Sequence, residues 1–97
     1  MPKYVILMNL TEQGVATVKE APDRVEEARE ALEAAGGKLI DFYLTMGPYD
    51  YVVVAEGPSD EVALLQLFGL GAAGNVRTTT LKAFTLEEYK ELVTKLP

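Results

Sequence analysis

The chain has 97 residues, 48% of them apolar, and 15 acidic against 9 basic side chains give it a net charge of −6. It contains no Cys, His or Trp, which excludes disulfides, thiolate nucleophiles, Cys- or His-based metal sites, His general-base chemistry and His-ligated haem. The length and apolar content suit one globular domain, expected to span 1–97, and the acidic balance argues against a nucleic-acid or anionic-membrane partner.

Lys3 to Leu10 is almost continuously apolar with a β-branched centre, and reads as a strand. It is too short to span a membrane, and no run of about 18 apolar residues occurs elsewhere. Asn9 follows the run with no small-residue cleavage site, so the segment reads as a first strand rather than a signal peptide, and the protein as cytoplasmic. Thr11 is a good N-cap for a helical segment from Glu12 to about Glu20, weakened by Gly14. Pro22 suits the first turn of the next helix. There Val25, Ala28, Leu32 and Ala35 form one apolar stripe, and Glu26, Glu27, Arg29, Glu30 and Glu33 lie mostly away from it as a solvated face. Gly36-Gly37 ends that helix.

A strand is predicted from Lys38 to Met46. Ile40, Phe42, Leu44 and Met46 share one face, and Leu39, Asp41, Tyr43 and Thr45 the other. Gly47-Pro48-Tyr49-Asp50 forms a turn, and Tyr51 to Glu56 the next strand. Gly57-Pro58 breaks it, and Ser59 or Asp60 caps a helix to about Phe68. Gly69, Gly71 and Gly74 read as a flexible connection. Asn75 to Phe84, rich in Thr and Val, is a fourth strand. Thr85 and Glu88 make a capping box for a final helix to about Lys95.

The order β-α-β-β-α-β-α predicts an α+β, ferredoxin-like fold with a four-stranded antiparallel sheet and two helices on one face. The other face should then alternate apolar with polar. It does not: Val5, Ile6, Leu7 and Met8 are apolar at both parities, as are Tyr51 to Ala55. A second copy packed sheet against sheet is the economical cover, so a homodimer or higher homo-oligomer is expected. The alternative is a monomer whose C-terminal helix covers that face.

Gly69-Leu70-Gly71-Ala72-Ala73-Gly74 matches a dinucleotide fingerprint in letters, but it follows a helix and leads into a strand, so no helix N-terminus is available for a pyrophosphate. Asp41, Tyr43 and Thr45 would look into the dimer interface, with Arg77, Lys82, Thr78 and Thr80 as candidate partners. A pocket of Tyr, Asp, Thr and Arg there would suit a small ligand. Beside the turn, Tyr49 and Asp50 could act on a substrate, though Asp in a turn more commonly accepts from nearby backbone amides. The candidate ligand-binding set is therefore Asp41, Tyr43, Tyr49, Asp50, Tyr51 and Arg77, with no metal and no cofactor expected.

Several segments together make the chain resemble the GYD-domain family. They include Tyr4 to Leu10 with Thr11-Glu12-Gln13-Gly14, Gly36-Gly37, Thr45-Met46-Gly47-Pro48-Tyr49-Asp50-Tyr51, and Gly74-Asn75-Val76-Arg77-Thr78. Pro48 stands between the Gly and the Tyr-Asp that name the family. The resemblance implies a dimeric α+β barrel and no particular activity. The function expected is a small homo-oligomeric module that binds a small molecule or regulates. The alternative is a cofactor-independent, monooxygenase- or isomerase-like enzyme, with Asp41 or Asp50 as base, Tyr43 or Tyr51 orienting the substrate and Arg77 stabilising an anion.

Overall fold

A computed structural model describes residues Met1–Pro97. Its elements are β1 (Lys3–Leu10), α1 (Glu12–Ala16), a 3-10 turn (Val18–Glu20), α2 (Ala21–Ala34), β2 (Lys38–Leu44), β3 (Tyr51–Glu56), α3 (Asp60–Ala73), β4 (Val76–Ala83) and α4 (Leu86–Val93). The four strands form one antiparallel sheet in the order β2-β3-β1-β4. This is the ferredoxin-like order.

Register fixes which side chains share a face. Tyr4, Met8, Tyr51, Val53, Ala55 and Val76 are buried on the face that α2 and α3 cover. Phe42 joins them, its ring centroid 4.9 Å from that of Tyr51. On the opposite face the pairing builds successive rows. Lys38, Glu56, Lys3 and Ala83 form one; Asp41, Val54, Val5 and Leu81 the next; Tyr43, Val52, Leu7 and Thr79 the third. Asn9 and Arg77 begin a fourth. Two rows with apolar centres are thus bounded by the Lys3–Glu56 ion pair at one end and Arg77 at the other.

Several local expectations change. A bulge between Leu39 and Asp41 breaks the alternation of β2, so Leu39 rather than Ile40 shares the helix-covered face with Phe42. β2 ends at Leu44, before Met46. The first helical segment divides into α1 and the 3-10 turn. α3 runs through Gly69 and Gly71 and stops at Gly74, a left-handed C-cap with φ 83°, so the glycine-rich stretch is the end of a helix rather than a flexible connection. The apolar neighbours Leu67 and Leu70 keep that turn against the sheet, and packing outweighs the low helix propensity of glycine.

Caps follow the sequence closely. Thr11, Ser59 and Thr85 accept from the backbone amides of Gly14, Val62 and Glu88, and Glu88 completes the capping box by accepting from the Thr85 amide. α4 is nevertheless exposed along its whole length and does not cover the open sheet face. The radius of gyration is 14.8 Å, against about 12.5 Å for a compact chain of this length. The longest extent is 53 Å, and α4 follows the end of β4 as an exposed arm.

Candidate functional site

Two surfaces have the makings of a site, one on each side of the sheet. On the open side, Asp41 and Tyr43 lie on β2 and Arg77 on β4. All three are exposed and share the apolar face, as alternation from Asp41 onward requires. However, β2 and β4 are opposite edges of the sheet. Three strand spacings, about 14 Å, separate them. One chain does not bring the Asp41 carboxylate to the Arg77 guanidinium.

Tyr49 and Asp50 sit at the hairpin between β2 and β3. Asp50 ties this hairpin to β1 from both ends: its amide donates to the Met8 carbonyl at 2.9 Å, and its carboxylate accepts from the Leu10 amide at 2.8 Å. Its carbonyl also accepts from the Thr45 amide, and the Thr45 hydroxyl donates to the Tyr49 carbonyl at 2.7 Å. Gly47 has φ 109°, a left-handed conformation with open space around it, so Pro48 is accommodated without loss of the turn. Tyr51 points to the other side of the sheet, where it is buried beneath the helices.

On that covered side lies a cleft of about 540 Å³ between the sheet and helices α2 and α3. Ile6, Met8, Phe42, Val53, Leu32 and Leu70 line it. Small residues on α2, Ala28 and Ala31 among them, leave the space open. The Thr80 hydroxyl also lines the cleft and is buried without a hydrogen-bond partner in the protein. Such an orphan ordinarily costs free energy on the order of 1–3 kcal/mol. Thr80 appeared in the sequence only as a possible interface partner; pairing with Ile6 turns it to the helix side instead, with Thr78 and Lys82.

Tyr4 lines the same cleft and belongs to a polar cluster that was not apparent in the sequence. The Tyr4 hydroxyl donates to Asp60 Oδ1 at 2.6 Å, and Lys82 Nζ donates to Asp60 Oδ2 at 3.0 Å. The signal was the β1–β4 register, which sets Tyr4 beside Lys82, below the first turn of α3. Burial and the Asp60 hydrogen bond push the Tyr4 phenol up to about 12. The Tyr4 hydroxyl and the Lys82 ammonium hold Asp60 below the ordinary Asp value.

A carboxyl with a lowered folded pKa contributes stability above its unfolded value, near 3.9, and loses it as pH falls through the folded value. The raised phenol contributes below pH 10 and loses that as pH rises through about 12. Tyr4→Phe is therefore expected to destabilise the fold by about 1 kcal/mol at neutral pH, discounted because Asp60 is half exposed. Thermal melts should show the deficit steady from pH 5 to 9 and shrinking below pH about 4. A deficit of unchanged size in acid would mean that Tyr4 acts through packing alone.

Comparison with known proteins bears on the whole chain. The family model for the GYD domain matches residues 4–93. The "Glutamine synthetase and cystathionine beta-lyase binding protein" of Thermus thermophilus is 32% identical over 89 residues, covering 91% of this chain and 94% of that protein. The crystal structure of MtbAldR superimposes with a TM-score of 0.68 at 15% identity, over 87% of this chain. The match takes in 52% of that longer chain, and the likeness is one of fold. No helix is long and apolar enough to cross a membrane.

Proposed function

This chain belongs to the GYD-domain family, and from that premise we propose that it is a cytoplasmic, homo-oligomeric binding module that regulates or tethers other proteins. Copies pair through the open sheet face, and the assembly offers a second apolar surface to a different protein. That second surface is the observation that carries the proposal. α3 is apolar all round, and its outer stripe of Leu64, Leu65 and Phe68 stays 53%, 68% and 72% exposed. A helix of that kind is ordinarily covered. Covering the open sheet face leaves the α3 stripe free, because the two lie on opposite sides of the sheet.

The relative's name supplies the partners to try first: glutamine synthetase and cystathionine beta-lyase. Interferometry with the purified enzymes of the source organism should show saturable binding to at least one. Phe68→Glu should weaken it at least 100-fold, since a charge replaces a central apolar anchor. The oligomeric state should not change. Binding that is absent for both enzymes, or unaffected by Phe68→Glu, contradicts this assignment of the surface.

The cleft beneath the helices favours a second role, the binding of a small, mostly apolar molecule with one hydrogen-bond acceptor or donor for Thr80. Its volume lies within the range of small-molecule sites, and the orphan hydroxyl would gain a partner. A molecule retained through purification and lost in Thr80→Val supports that role; bare chains and no thermal shift with small amphiphiles count against it. Asp41, Tyr43 and Arg77 would contribute to a ligand site only where two open faces meet. An enzyme built on Asp41 or Asp50 with Arg77 would need that same meeting, since Asp50 already holds the Leu10 amide.

A further inference from the structure

Two apolar patches remain unpartnered at opposite ends of the sheet. At the hairpin end, Tyr43 and Leu44 are exposed, and Met46 stands 99% exposed at the tip. At the other end, α4 carries Leu86, Tyr89, Leu92 and Val93 on one stripe and Leu96 follows it, all between 44% and 70% exposed. The eight residues of β4 alone separate the ends by about 25 Å. The two patches do not meet within one chain.

We infer that the arm α4 clasps the β2–β3 hairpin of a second copy of this chain, and that the hairpin is in turn the arm's receptor. This rests on the homo-oligomeric reading above. A two-fold axis between two open faces, inclined to the strands so that the two sheets cross, carries each arm to the hairpin end of the other copy and across toward its β2–β3 edge, and the contact is made twice, as an isologous dimer requires.

Charge agrees with this placement. Arg77, at the hairpin end of β4, has no ion pair within its chain, and neither has Glu91 on the flank of the arm. The clasp brings them to the same end of the assembly. Area agrees as well. Four strands about 4.8 Å apart and six to eight residues long at ~3.3 Å per residue present roughly 400 Å² in projection. A standard interface takes about 800 Å² of accessible surface from each partner, and the arm with its hairpin enlarges the patch that the sheet alone presents.

The absence of cysteine makes a direct test clean. A Met46→Cys, Leu92→Cys double variant, oxidised under mild conditions, should give a covalent two-chain species by denaturing electrophoresis, and Leu7→Asp added to it should prevent the cross-link. In sedimentation analysis of the otherwise natural full chain, Tyr89→Glu with Leu92→Glu should raise the dimer Kd at least ten-fold. Arg77→Glu should raise it several-fold, with recovery on adding Glu91→Arg. Unchanged Kd values in an oligomer that fails to cross-link overturn the clasp while the oligomer stands, and leave the arm as a surface for another protein. Ladders of ever longer cross-linked species overturn the two-fold geometry. A full chain that is monomeric at all concentrations overturns the oligomer itself and the clasp with it.

Discussion

Leu7→Asp is expected to convert the oligomer into folded monomers. Leu7 lies on β1, one of the two central strands, between Val52 and Thr79 in the third row of the open face. Its side chain turns away from the helices, so the monomer loses little beyond strand propensity, about 1 kcal/mol or less. In a sheet-to-sheet dimer the same aspartate is buried, unpaired, in an apolar layer, and the two-fold places it there twice. An uncompensated buried charge costs about 3–5 kcal/mol. The dimer Kd should rise at least 100-fold, measured by sedimentation at micromolar concentration, with the far-ultraviolet circular dichroism preserved. An unaltered oligomer would place the interface elsewhere.

Gly14→Ala should have the larger effect on folding, and of the opposite sign to helix propensity. In an exposed helix this change stabilises by about 1 kcal/mol. Here α1 lies directly on the loop before β4, and Gly14 is buried. A Cβ at Gly14 would stand 2.1 Å from the Asn75 carbonyl oxygen and 3.0 Å from Leu10 Cδ2. The oxygen is backbone and is itself held, accepting from the Thr11 amide at 3.0 Å. Thr11 also donates its hydroxyl to the Gly74 carbonyl at 2.6 Å, and Gln13 donates to the Ala73 carbonyl and to the Asn75 side chain. Moving α1 to make room strains all of these together. A loss of roughly 2–4 kcal/mol is expected, read as a shifted midpoint with unchanged slope in urea unfolding. A stabilised Ala variant would show that α1 is not seated on Asn75.

Gly14 also illustrates what the sequence conveyed and what it did not. From the chain alone it only weakens a helix; its reason, an approach to a residue 61 positions later, exists only once the fold is assembled. The β2 bulge is of the same kind. Ile40, Phe42 and Leu44 alternate as a regular strand should, and nothing local marks the extra residue. Gly69 and Gly71 mislead in the other direction, because propensity argues for a break that tertiary packing overrides. By contrast, element order, caps and the GYD hairpin were legible, since each depends on a few adjacent residues. The apolar open face was legible too: a sheet with helices on one side leaves the second parity of Val5, Leu7, Val52 and Val54 without a cover. Asp41 and Tyr43 share that face as the β2 pattern required; that Arg77 joins them depends on the β1–β4 register, and their separation across the sheet on strand order, neither of which periodicity carries. The Tyr4–Asp60–Lys82 cluster and the orphan Thr80 hydroxyl depend on long-range register and so were out of reach.

On the function proposed above, the two sides of the sheet would have separate tasks: the open side would assemble copies, and the helical side would offer the α3 stripe and the cleft. Regulation of a bound protein by a small molecule would follow from the second arrangement, because α3 forms both the outer stripe and one wall of the cleft.

Native mass spectrometry of the full chain, purified without added ligand, shows whether the open sheet face assembles copies. A dimer, or a multiple of it, that separates into monomers on Leu7→Asp is the expected result. A chain that remains a bare monomer at concentrations up to tens of micromolar would contradict it.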